Sequence, residues 1–169
     1  MEQNVNHKLE HKHTLHSFYN THKKKIYYFI GFFIIIIFLA TFLIQNNIKN
    51  NSLTAEKYVE AGLYFSSGNK LKSKAMYEEI MRSENKFYSI LALNEILEKE
   101  LISDKIKILN YFEIAMQVSK SHEQLDLINF KKALYLLKIS NDKEANDILN
   151  NLIKKNSKLK TIAKEVITK

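Results

Sequence analysis

The stretch ANDILNNLIKKNSKLKTIAKEVI, residues 145–167, decides how this chain folds. Ala145, Ile148, Leu149, Leu152 and Ile153 recur at i, i+3, i+4, i+7 and i+8, and Leu159, Ile162, Ala163, Val166 and Ile167 repeat that spacing. Such spacing gathers apolar side chains on one face of a helix with 3.6 residues per turn, whereas a strand would alternate them. The polar segment KKNSK between the two runs separates them into two amphipathic helices.

The same pattern extends toward the N-terminus and predicts helices over 54–67, 70–83, 87–101, 104–119, 122–139, 142–155 and 158–168. Proline is absent, and glycine occurs only at 31, 62 and 68, a composition that fits helices joined by short polar turns and is hard to reconcile with a turn-rich β fold. Ser67-Gly68-Asn69 has the chemistry to end one helix and open the next. Ser121 with Gln124, and Asn141 with Glu144, have the spacing of capping boxes. Connections of two to four residues imply antiparallel hairpins.

A stack of hairpins should repeat in sequence, and this chain does. Ala61, Tyr64, Gly68, Ser73 and Tyr77 are matched 72 residues later by Ala133, Leu136, Ser140, Ala145 and Leu149. That distance is two units of 36, leaving room for a degenerate middle unit. Small and aromatic residues at these offsets resemble the tetratricopeptide repeat, with ISNDKEANDILNNLI (139–153) the best single match. The resemblance implies an all-α domain in which about three helical hairpins and a terminal helix form an α-solenoid. Departures are visible: Lys57 and Glu60 stand where the repeat has its early Trp and Leu, and the terminal Pro is missing.

Upstream lies KKKIYYFIGFFIIIIFLATFLIQNN, residues 23–47. From Ile26 to Ile44 there are nineteen uncharged residues, interrupted only by Gly31 and Thr41. As a helix they cover ~28 Å, the thickness of a bilayer's hydrocarbon core. The run is longer than the apolar part of a secretory signal, and the Gln45-Asn46-Asn47 that follows offers no small-residue cleavage site, so an uncleaved transmembrane helix is expected. Lys23, Lys24 and Lys25 flank its start and only Lys49 lies near its end; this asymmetry places the N-terminus in the cytoplasm and the larger part across the membrane. The expected organisation is a His- and Lys-rich cytoplasmic tail (1–25), the span (26–44), a polar linker (45–53) and the helical-repeat domain (54–169).

The lysine-ended tail with SFYNTHKKK, the single span, KFYSILALNEIL, the paired helices and the closing LKTIAKEVI together resemble the YfgM-like family of single-pass bacterial inner-membrane proteins. That resemblance implies a periplasmic protein-binding domain ancillary to the SecYEG translocon, with periplasmic chaperones and secretory clients as partners. The family's pattern runs on beyond the helix at 158–168, which leaves that helix to cap the stack or to pair with another molecule. A different reading is a structural envelope or cell-division scaffold acting through homo-oligomerisation.

Net charge is +8, with +3 in residues 1–25 and +5 spread over residues 45–169. Arg82 is the only arginine and the aromatics fall on packing faces, so the lysine runs at 70–74 and 154–160 read as helix surface, and nucleic acid is not an expected partner. Absence of cysteine excludes disulfides and thiolate metal sites. Phosphate-loop, dinucleotide, zinc-hydrolase and nucleophile-elbow motifs are absent, and no catalytic, cofactor-binding or metal-binding residue is assigned. Glu78, Glu79, Glu95, Glu98 and Glu100 alternate with lysines and are read as a solvated face. His122 is read as a helix-terminal residue. His7, His11, His13, His16 and His22 could bridge a divalent ion only if the tail were ordered, and a polar tail is the simpler expectation. Tyr58, Tyr64, Phe65, Tyr88 and Tyr111 are candidate groove contacts.

Overall fold

The computed structural model describes residues 3–168, and the side chains of residues 22–25 and 27–168. Among the described residues it contains seven helices and no strand: α1 (Gln3–Ser66), α2 (Lys70–Arg82), α3 (Tyr88–Glu98), α4 (Lys105–Val118), α5 (His122–Lys138), α6 (Asp142–Lys154) and α7 (Lys160–Ile167). The chain divides into two compact units, Met1–Asn50 and Asn51–Lys169.

In the first unit, every described side chain from Tyr27 to Ile44 is exposed, Gly31 being intermediate. One helix among the described residues is thus long and apolar enough to cross a membrane by length and composition. Deep in the apolar run the Thr41 hydroxyl is internally satisfied: Thr41 Oγ1 donates back to the carbonyls of Ile37 at 3.0 Å and Phe38 at 2.9 Å. The side chains of His7, His11, His13 and His16 lie outside the described residues.

The Asn-rich segment 45–53, expected as a linker, is helical and belongs to α1. The reason is local. No glycine or proline occurs between Phe32 and Ala61, and asparagine in a helix interior costs only ~0.7 kcal/mol relative to alanine.

In the second unit the helices pack in chain order, α2 on α3, α3 on α4, α4 on α5, α5 on α6 and α6 on α7, and α2 also reaches α4. Three of the five pairs 72 residues apart share full burial, while Tyr64 is half-buried where Leu136 is buried. Ala61 and Ala133, Ser73 and Ala145, and Tyr77 and Leu149 are all buried at 1% exposure or less. Gly68 and Ser140, which share an offset, both adopt the left-handed conformation, with φ of 84° and 63°. Each closes its helix with a paired bond: Asn69 N–H to Tyr64 O (2.8 Å) with Gly68 N–H to Phe65 O (3.0 Å), and Asn141 N–H to Leu136 O (2.9 Å) with Ser140 N–H to Leu137 O (3.0 Å).

The middle unit follows the same plan with a longer connection. Glu100, at φ 47°, ends α3 as Gly68 ends α1, with Leu101 N–H bonded to Ile96 O at 3.1 Å. From that point α4 begins three residues later in register than α2 and α6 do. Allowing for those residues, Leu93, Ile108, Phe112 and Ala115 take the places of Ala61, Ser73, Tyr77 and Ile80, and all four are buried.

The helix starts are capped as their residues allow. Asn69 Oδ1 accepts from Lys72 N–H at 3.1 Å, and Ser121 Oγ from Gln124 N–H at 3.1 Å. The Gln124 side chain departs from the capping-box pattern by one residue, accepting from Lys120 N–H at 3.2 Å. Asn141 forms no side-chain cap; its amide instead donates to Glu144 Oε2 at 2.9 Å. The core divides into two clusters, one centred on Tyr77, Ile80, Ile96 and Phe112 and the other on Leu136, Leu149 and Leu152, with Phe112 and Tyr135 in ring contact at 5.9 Å. Full burial of each large apolar side chain contributes ~1.5–3 kcal/mol.

Candidate binding groove

Where the two core clusters meet, α3 and α5 both pack on α4 and a cavity of about 600 Å³ opens between them. Its apolar wall is built from Ile96, Ile102, Ile108, Leu134, Tyr135 and Ile139. Ile102 and Ser103 come from the α3–α4 connection, the segment that carries the three extra residues, so the groove sits where the repeat is broken. Asp104 anchors the end of that connection by accepting from the N–H groups of Ile106 (3.0 Å) and Lys107 (3.1 Å). Charged groups of both signs stand at the rim: Lys105, Lys131 and Lys138 with Glu98 and Glu100. Lys138 pairs with Glu100, while Lys131 Nζ crosses from α5 to α3 and donates to Asn94 Oδ1 at 2.6 Å.

A second polar cluster ties α1, α2 and α3 together. Tyr58 Oη donates to Glu95 Oε1 at 3.0 Å, Tyr77 Oη reaches Glu95 Oε2 at 3.5 Å, and Lys99 forms an ion pair with the same carboxylate. The Lys99 ammonium also lies 4.8 Å from the Phe65 ring centroid, and Tyr58 contacts the rings of Tyr77 (5.7 Å) and Tyr88 (5.8 Å). Burial, then the nearby Glu95 charge, pushes the Tyr77 hydroxyl up to about 12. Burial and the Glu95 hydrogen bond raise Tyr58 as well. Burial acts to raise Glu95, but hydrogen bonds from Lys99 and Tyr58 outweigh it and hold the carboxyl below its usual range. This arrangement ionises the carboxylate and keeps both phenols protonated, which suits a structural clamp rather than proton transfer.

Two glutamates expected on a solvated face are placed otherwise. Glu78 is buried between Lys107 (2.8 Å) and Arg82 (3.8 Å), and Glu95 is the half-buried centre of the tyrosine cluster. Both sit where neighbouring hairpins meet: Glu78 is matched by Lys107 of α4, and Glu95 by Lys99 one turn along α3 together with the Tyr58 hydroxyl of α1. Glu79, Glu98 and Glu100 are exposed, as is His122 in the first turn of α5. Among the candidate groove aromatics, Tyr111 is buried in the core, and Tyr58, Tyr64, Phe65 and Tyr88 are half-buried; none of the five lines the cavity. Tyr135 does, and only the break in periodicity marks its neighbourhood in the sequence. Lys70 and Lys72 are exposed, Lys74 is half-buried, Lys155 pairs with Asp126, and Lys158 with Glu123 at 3.5 Å. Among the described residues no group of three or more His, Asp or Glu is placed to hold a metal ion.

No known protein family, curated protein or solved structure matches this chain.

Proposed function

We propose that the chain is a membrane-anchored protein-binding module, with residues 26–44 as its anchor and residues 54–169 as a tetratricopeptide-like solenoid. The observation that carries this reading is the groove between α3 and α5, an apolar wall with a rim of mixed charge set into a stack of short helices. A concave surface of this kind receives an extended peptide or a partner's helix. Supporting the solenoid are the burial and left-handed turns that recur at the 72-residue spacing.

The lysine asymmetry around the span supports a cytoplasmic N-terminus and a periplasmic C-terminal domain at the inner membrane of a bacterium. From the resemblance to the YfgM-like family, the partners would be the SecYEG translocon, periplasmic chaperones and emerging secretory proteins. The mechanism is proximity: an anchor that holds a weak binding surface beside its clients raises their effective concentration to the order of millimolar. No residue is given a catalytic role.

A photo-crosslinking amino acid at Leu134, which lines the groove and is 41% exposed, tests this in intact cells. Adducts to translocon subunits or secretory chains are expected, and recovery of neither overturns the assignment. Alkaline phosphatase fused at residue 20 should be inactive and at residue 169 active; the reverse overturns the sidedness. The scaffold alternative has one observation in its favour, Ile162 of α7, which is 48% exposed beside the buried Ala163. Light scattering on the chain truncated before residue 158 separates the two readings, because only the scaffold requires α7 to hold an oligomer together.

A further inference from the structure

Lys131 and Lys132 are adjacent on α5 and differ in what holds them. Lys132 Nζ lies between Glu113 at 2.9 Å and Glu144 at 3.3 Å, so its charge is matched across three helices. Lys131 is also half-buried, but its ammonium rests on the neutral amide oxygen of Asn94 and has no carboxylate partner among the described residues. Lys105, at the rim beside the α3–α4 connection, likewise has no ion pair among the described residues. A partly desolvated cation beside an apolar wall favours an incoming anion, because the surroundings compensate it poorly. Glu98, one turn beyond Asn94 on α3, supplies the opposite sign at the same rim.

We infer that the α3–α5 groove takes a peptide segment bearing an aspartate or glutamate flanked by aliphatic side chains, with Lys131 as the carboxylate anchor. This rests on the protein-binding reading and names the chemistry of the partner. Apolar side chains seat on Ile102, Ile108, Leu134 and Ile139. The mixed rim selects a peptide over a lipid anion. A fatty acid satisfies the lysines and the apolar wall but leaves Glu98 and the exposed Ser103 facing hydrocarbon, whereas a peptide offers donors and cations to both.

The test uses the full chain in lipid nanodiscs and a random octapeptide phage library depleted on empty nanodiscs. Enriched peptides should combine Asp or Glu with Leu, Ile or Val. Affinity for the synthetic consensus peptide should fall about tenfold or more in Lys131→Met, the share carried by one charge-assisted bond. Lys105→Glu should weaken it too, and this variant guards against misfolding, since an acidic residue in the first turn of α4 favours the helix. Lys158→Met, remote from the groove, should leave affinity unchanged, and oleate should not compete with the peptide. An acid-free consensus, no enrichment, indifference to both groove variants, or displacement by oleate overturns the inference. If cells yield Leu134 adducts while the library selects no acidic peptide, this chemistry fails and the protein-binding reading stands. If the library behaves as described and no adduct forms, the cellular partners were misassigned and the groove chemistry stands.

Discussion

Ser73 and Ser89 offer a matched experiment within one fold. Both are fully buried at 0% exposure, and both would be changed to alanine. Ser89 Oγ donates to Ile80 O at 3.0 Å, whereas Ser73 Oγ has no hydrogen-bond partner among the described residues. Removing the Ser73 hydroxyl relieves a desolvated, unmatched polar group, worth ~1–3 kcal/mol. Lost dispersion around a single oxygen takes back a few tenths, so Ser73→Ala should stabilise by ~1–2 kcal/mol. Its counterpart 72 residues later is already Ala145, fully buried. Ser89→Ala loses one net hydrogen bond, ~0.5–1.5 kcal/mol. The Ile80 carbonyl is not orphaned, because it still accepts from Ser83 Oγ at 2.7 Å, so the cost stays near the low end of that range. The two variants should therefore move in opposite directions and differ by ~2 kcal/mol, or ~8 °C in melting temperature for a domain of this size. Thermal and urea melts followed by circular dichroism read this directly. Shifts of the same sign for both variants would refute the reasoning, since burial and residue change are the same and only the hydrogen bond differs.

Other consequences follow from the same structure. Gly68→Ala should cost ~1 kcal/mol because φ there is 84°, and Ser140→Gly should gain ~0.5–1 kcal/mol at φ 63°, both read by denaturant midpoint. Tyr77 is raised to about 12, above its ordinary 10.0, so its contribution to stability is complete below pH 10 and is lost as pH climbs toward 12. Glu95 is lowered below 4.5, so its share is present above that pH and fades as pH falls further. Melting temperature against pH should thus show a plateau with two falling limbs, and Tyr77→Phe should flatten the alkaline limb. Ile36→Asp at the centre of the apolar helix should disfavour membrane insertion by ~3 kcal/mol, measured as the fraction of chains integrated in microsomes; unchanged integration would count against residues 26–44 as a span.

Most of the fold could be read in advance because two independent signals agree. Apolar periodicity locates the helices, and Gly68, Asn69 and Ser121 mark where they stop and start. Where the signals are weaker, the reading slips. Asparagines at 46, 47, 50 and 51 suggest a linker by composition, yet nothing in that segment breaks a helix, and α1 runs through it. Asn141 and Glu144 have the spacing of a capping box, but their side chains bond to each other. Glu78 and Glu95 look solvated on a helical wheel. Their burial depends on Lys107 and Tyr58, which are distant in sequence and brought near only by stacking of the hairpins.

The groove was illegible for a reason that also says why it lies where it does. In a periodic stack each space between hairpins is built from the same positions, so no single space is distinguished. A reading that rewards periodicity finds the scaffold and passes over what departs from it. Here the departure is the three-residue extension before α4, which places Ile102 and Ser103 at the gap between α3 and α5. Adding three residues to a surface connection costs little in loop closure, well under ~1 kcal/mol, so the stack tolerates it. What the extension contributes is asymmetry: one gap with its own wall, its own rim charges and a lysine resting on a neutral amide instead of a carboxylate. In the middle unit the longer connection brings its own residues to the gap, and that irregularity, not any motif in the chain, marks the proposed groove.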